Sequence, residues 1–271
     1  MRWIDERKKA LMFQYLFLFS AVLILAAIVI SGEALWEDAL KTDFTRRNRL
    51  PCPAYPFGTD WMGRDVFLRT ICGLSLSIRI GFLTAAMSAG IAFIMGMLAS
   101  MGKWADGIVR MVIDWMMGIP HMLLLVLISF AAGKGLSGVI AGISLTHWTS
   151  LARLVRGEAL QLKEATYLKI SKQLGVRRLR AAIRHMTPHL LPQVFVGGIL
   201  LFPHAILHEA SITFLGFGLS PEQPAIGIIL SESMKYLAMG KWWLSLFPGL
   251  LLVLVVMLFY QLGKNLQILF G

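Results

Sequence analysis

Six stretches of this chain stay apolar long enough to cross a bilayer, and the polar residues collect between them. A membrane-spanning helix needs about 20 mostly apolar residues. Residues 10–30, 71–101, 108–132, 138–154, 189–215 and 243–262 meet or approach that length. Several exceed one crossing, which predicts tilt or breaks, and Pro120 predicts a kink in the third. The run at 10–30 is longer than a signal-peptide core, so a retained first span is expected. The pattern predicts an all-α polytopic membrane protein of about six transmembrane helices. An N-terminal span and its following segment would occupy 1–70, and a transmembrane domain 71–271.

The segments between the spans set the orientation, because Lys and Arg favour the cytoplasmic side. MRWIDERKK, Lys103 with Arg110, and a strongly basic stretch at 153–184 fall on one side, which predicts cytoplasmic termini. Residues 31–70, 131–137 and 217–241 would then face outward, although 31–70 holds six basic residues balanced by six acids. The 153–184 stretch carries nine Lys/Arg against Glu158 and Glu164, a net +7 of the chain's formal +11. Within it Leu160, Leu162, Ala165, Leu168, Ile170 and Leu174 recur at helical spacing, and Gly175 reads as a helix stop. This predicts a short amphipathic helical pair, a cytoplasmic docking surface at about 156–185.

Composition narrows the class. With 57% hydrophobic residues and a mean hydropathy of +0.69, the chain lies outside soluble globular proteins. A pI near 10 would suggest nucleic acid in a soluble chain. Here cytoplasmic retention of basic loops accounts for the charge, and no nucleic-acid partner is expected. No G-x-x-x-x-G-K-[ST] phosphate cradle occurs, so an ATPase driving transport would be a separate chain. Cys52 and Cys72 are too few to argue a disulfide, and two unpaired thiols are expected.

Ionisable groups inside spans are functional candidates by default. Arg110 and Asp114, four apart, predict a helix-surface ion pair, and His121 a structural role. His204, His208 and Glu209 stand together in the fifth span. The two histidines share a helix face at the spacing of two metal ligands, while Glu209 is turned toward a neighbouring helix. Either the pair lines a metal pathway, or each imidazole bonds across a helix interface. A zinc-protease reading fails, because Ile212 stands where H-E-x-x-H requires its second histidine.

Four segments resemble the second (C-type) permease of ABC importers of the dipeptide/oligopeptide/nickel family. FGTDWMGRDVFLRTICG is similar to that family's signature ahead of the second span, through Gly58, Thr59, Asp60, Gly63, Arg64 and Asp65. WTSLARLVRGEALQLKEATYLKISKQLG followed by RHMTPHLLP is similar to its coupling loop, with Gly175 at the motif glycine and Pro188 at the motif proline. HEASITFLGFGL and the last span match as well. Two positions depart: Lys169-Ile170-Ser171 replaces the family's Glu-Ala-Ala, and Ile226 replaces the tryptophan before Gly227.

The resemblance implies a permease that binds no cofactor itself and is not an enzyme. Its partners would be a homologous permease, two ATP-binding subunits docking on Glu164, Lys169, Gly175, Arg177 and Arg178, an extracytoplasmic binding protein and the bilayer of a prokaryotic cell membrane. ATP would be used by the partner subunits, with alternating access as the mechanism. The signature before the second span would shape the mouth that meets the binding protein. The arrangement of His204 and His208 resembles nickel-uptake permeases, and since imidazole suits nickel it favours nickel, free or chelated, or another transition metal as substrate. The alternative is a dipeptide or oligopeptide. A secondary transporter or an intramembrane enzyme would need a relay or a catalytic set that the chain does not display.

Overall fold

A bilayer offers backbone N–H and C=O groups no partner but each other, so the apolar stretches coil. The computed structural model describes residues 2–270. Their regular elements are helical: α1 (Arg2–Ala34), α2 (Trp36–Leu40), α3 (Val66–Ser100), α4 (Lys103–Gly118), α5 (His121–Ala131), α6 (Gly135–Lys163), α7 (Thr166–Gln173), α8 (Arg178–Ala181), α9 (Thr187–Phe214), α10 (Ile226–Leu237) and α11 (Trp243–Phe270). A 3-10 turn at Phe44–Arg46 and a π-helical turn at Ala182–Met186 complete them, and only isolated bridges occur in place of strands among these residues.

Among the described residues, four helical runs are long and apolar enough to cross a membrane: Gln14–Ala34, Val66–Ser100, Leu179–Phe214 and Trp243–Ile268. The expected third span is two helices, α4 and α5, bent by 99°, and they make a fifth crossing if taken together. The bend has a local cause. Ile119 is extended (ψ 138°) before Pro120, whose ring disfavours helix at the preceding residue. The expected fourth span lies in α6, which at 29 residues is long enough but too polar on average to count as a crossing by composition. Ser144, Thr146, His147 and Thr149 interrupt its apolar run, and all four are buried.

The chain divides into two compact units. One comprises the residues up to Gly81 together with Ile206–Leu269. In it α1 lies directly on α3: a Cβ on Gly32 would stand 2.4 Å from Ser75 Cβ, so only glycine allows the approach. Ser75 Oγ donates to the Val29 carbonyl at 3.1 Å and Cys72 Sγ to that of Gly32 at 3.3 Å. Both cysteines are free thiols. Val66, Trp243 and Leu244 form an apolar cluster capped by Phe57, which stacks on Phe247 at 4.8 Å.

The other unit is Phe82–Ala205. Its tightest pairing is α5 against α6. Gly138 and Gly142 sit under the Ser129 and Leu125 carbonyls, where added Cβ atoms would come within 2.4 and 3.0 Å. The G-x-x-x-G spacing makes this closeness possible, and small residues are how helices pack where no hydrophobic effect drives them together. Asp106 of α4 receives both Nε (2.6 Å) and Nη2 (2.8 Å) of Arg156 on α6. Arg110 lies 3.6 Å from Asp114, which also reaches Arg153 at 3.4 Å.

Candidate functional site

Three groups of residues carry candidate function, and the first is the segment that leads into α3. Asp60 is its hub. Asp60 Oδ1 accepts the backbone N–H groups of Met62 (2.8 Å) and Arg64 (3.0 Å). Asp60 Oδ2 accepts Arg64 Nε at 2.7 Å and Arg69 Nη1 at 2.6 Å. Glu232 of α10 closes the cluster, with Oε2 at 2.8 Å from Arg69 and 3.2 Å from Arg64. Two cations thus meet two anions, with Arg69 only 1% exposed. A buried ion pair repays its desolvation only when geometry and extra hydrogen bonds are good, and here Asp60 has four donors.

The other signature residues shape the same turn. Asp65 Oδ1 receives the N–H groups of Phe67 (2.8 Å) and Leu68 (3.3 Å), which makes it the N-terminal cap of α3. Burial nevertheless pushes the Asp65 carboxyl above its usual range, outweighing those two bonds. Thr59 Oγ1 donates to the Arg46 carbonyl and accepts the Arg49 N–H at 2.9 Å. Gly63, at φ +77°, faces the Asp43 carbonyl so closely that a Cβ would stand 1.8 Å from its oxygen, and Gly58 meets that of Arg49 at 2.5 Å in the same sense. Glu232 is absent from the sequence-based candidates, though an acid inside the apolar run IGIILSESM is a signal for it.

The second group lies at 156–185. No separate loop begins at Arg156: α6 runs on to Lys163, α7 follows, and α8 passes through the π turn into α9. Gly175 lies between α7 and α8 at φ +80° with open space around it. Lys169 Nζ pairs with Glu164 Oε2 at 3.0 Å on the surface. Arg177 is exposed, and Arg178 opens α8 with its side chain outside the described residues. Leu168 is buried, whereas Ile170, Leu174, Leu179 and Ile183 are exposed apolar side chains.

The third group is in α9, where the three candidates differ. His204 is exposed, His208 half-buried and Glu209 0% exposed. Glu209 Oε2 accepts a short hydrogen bond from Ser77 Oγ of α3, and Oε1 accepts Thr213 Oγ1 at 3.0 Å. Thr213 Oγ1 in turn takes the Leu219 N–H at 3.3 Å, so one carboxyl ties α3 to the turn after α9. Sequence does not single out these hydroxyl partners, because serine and threonine are common in helices and nothing in the spacing marks these two. His121 and His147 pack edge to face at 4.8 Å between ring centroids.

Residues 88–267 match the family described as "Binding-protein-dependent transport system inner membrane component". The chain belongs to this family. Over 267 residues this permease is 30% identical to the dipeptide transport system permease protein DppC of Bacillus subtilis, covering 98% of this chain and 82% of that one. It is 30% identical over 247 residues to the oligopeptide transport system permease protein OppC of the same organism, covering 91% and 81%. Its fold resembles a chain of the methionine ABC transporter MetNI in an inward-facing state, with a TM-score of 0.60, 17% identity, and coverage of 76% and 96%.

The permease is therefore a multi-pass subunit of an ABC importer in a prokaryotic plasma membrane and is not itself an enzyme. ATP is hydrolysed by separate subunits, and the membrane assembly includes a second permease and a substrate-binding protein. The relatives that name a substrate name peptides, which corrects the preference for nickel drawn from the histidine spacing. The physical reason is that a four-residue spacing on one helix satisfies a packing role as well as a ligand pair. The neighbouring helices that would decide between the two are not legible in α9 alone.

Proposed function

We propose that this permease carries short peptides rather than metal ions. The observation that carries the reading is the 30% identity to a dipeptide permease across 98% of the chain. The shared face of His204 and His208 speaks for nickel. Residues 1–70 serve as an N-terminal span and outward segment, and 71–271 as the permease proper. The Asp60 cluster with Gly58, Thr59, Gly63 and Asp65 holds the outward segment in the shape that meets the binding protein. Glu164, Lys169, Gly175, Arg177 and Arg178 form the ATPase contact, a role supported by the exposed Ile170, Leu174, Leu179 and Ile183 around them. Lys169 and Glu164 pair with each other, so the ATPase meets a locally neutral pair where the family's Glu-Ala-Ala would present an acid. Vesicles holding the reconstituted importer, with its binding protein and ATP, test the substrate. Accumulation of labelled dipeptide without labelled Ni²⁺ is expected, and ATP-dependent nickel accumulation alone overturns the reading.

A further inference from the structure

Arg79 is a charge deep within a 35-residue helix. At 1.5 Å per residue α3 is about 52 Å long, far more than the roughly 30 Å hydrocarbon core, which about 20 residues cross. Counted back from Ser100, that length reaches Ile80. Arg79 therefore stands where α3 leaves the hydrocarbon. α1 marks the same level independently: its apolar part, Gln14–Ala34, is 21 residues long and ends beside Glu33. Helical side chains lean toward the N-terminus, so Arg79 reaches away from the hydrocarbon and up toward the end of α1. There its Nη2 meets Glu33 Oε2 at 2.9 Å.

Beside this pair lies a cavity of about 420 Å³. Its walls include Glu33, Trp36, Glu37, Ser75, Leu76 and Arg79. Two carboxylates face one guanidinium, so the walls carry net negative charge with a single cationic point. Arg79 and Glu33 remain 44% and 72% exposed, so both are open to a ligand. Trp36 has the amphipathic ring found at the headgroup level of membranes. Below it α1 exposes Val22, Leu23 and Ile30.

We propose that this cavity binds the headgroup of a phospholipid bearing both a primary ammonium and a phosphate. The ammonium sits between Glu33 and Glu37, the phosphate rests on Arg79, and the acyl chains follow the exposed face of α1. A choline headgroup offers no N–H to the carboxylates. An anionic glycerol headgroup meets two like charges. Of these three, the ethanolamine type alone satisfies both signs. The lipid is favoured over a soluble zwitterion because both helices place the site at the hydrocarbon boundary, with apolar surface directly beneath.

The test uses the assembled importer in nanodiscs of phosphatidylethanolamine, phosphatidylcholine and phosphatidylglycerol with identical chains, followed by native mass spectrometry of retained lipid. Phosphatidylethanolamine should be retained roughly tenfold over the other two, the scale of one or two charge-assisted hydrogen bonds. Glu37→Gln, which leaves the Arg79–Glu33 pair intact, should cut that preference several-fold, and Arg79→Gln should abolish it. If Arg79→Gln does not assemble, Glu37→Gln alone decides. Equal retention of the three lipids, or an unchanged preference in Glu37→Gln, overturns the proposal. So does displacement of the lipid by free phosphoethanolamine or by a dipeptide at matching concentration, since either would remove the acyl chains from the site.

Discussion

Asp60 shows how much one carboxylate organises. Its four donors join a tight turn, the start of α3 and, through Arg69 and Glu232, a helix 163 residues further along the chain. Arg69→Met should leave Asp60 and Glu232 short of a cation. Breaking a buried pair costs about 3–5 kcal/mol, so thermal denaturation of the purified complex should shift clearly downward. Glu232→Gln, at a position a quarter exposed, should shift it less, and an equal effect would contradict the ranking by burial. Asp43 gives a pH signature. Hydrogen bonds from Thr45 hold its carboxyl below the usual 3.8. The bonded carboxylate thus favours the ordered turn above the unfolded pKa, and this contribution disappears as pH falls through the depressed folded value. The protection of the Thr45 amide, its exchange rate relative to the intrinsic rate at the same pH, should fall on acidification in the wild type. In Asp43→Asn that protection should stay constant over the same range.

At the scale of elements, close approach and turn geometry decide function. Gly142→Leu would push a side chain into the Leu125 carbonyl and force α5 off α6. Transport should fall at least tenfold, with altered cross-linking between cysteines introduced on the two helices. Ala at the same position should be milder, because its Cβ meets that carbonyl at 3.0 Å. Gly175 is a different case. Its surroundings are open, so Gly175→Val meets no clash and suffers only the left-handed backbone, about 1–2 kcal/mol. The variant should insert and assemble normally yet lose the stimulation of ATP hydrolysis by substrate-loaded binding protein. Wild-type stimulation would remove Gly175 from the coupling element. Gly175 is legible in the sequence as a helix stop, whereas Gly138 and Gly142 blend into an apolar run. Spacing shows that helices can approach closely but not which partner they approach.

At the scale of the whole molecule, the chain is one part of an importer, and its cargo is the property to test. The double change His204→Ala with His208→Ala should leave dipeptide uptake within about tenfold, since single helix-interface hydrogen bonds in membranes contribute on the order of 0.6 kcal/mol each. Loss of peptide uptake with normal assembly would return the pair to the pathway. By itself the sequence determined the helical class, the membrane setting, the turn glycines and the residues of the Asp60 turn, because hydropathy length, helical period and short-range capping are local properties of the chain. Only the tertiary structure decided that α6 buries its hydroxyls, that Glu232 completes the Asp60 cluster, and that Glu209 is held by Ser77. Those outcomes depend on which distant side chain fills a partner's hydrogen-bonding need once helices pack, and neither period nor composition encodes that choice.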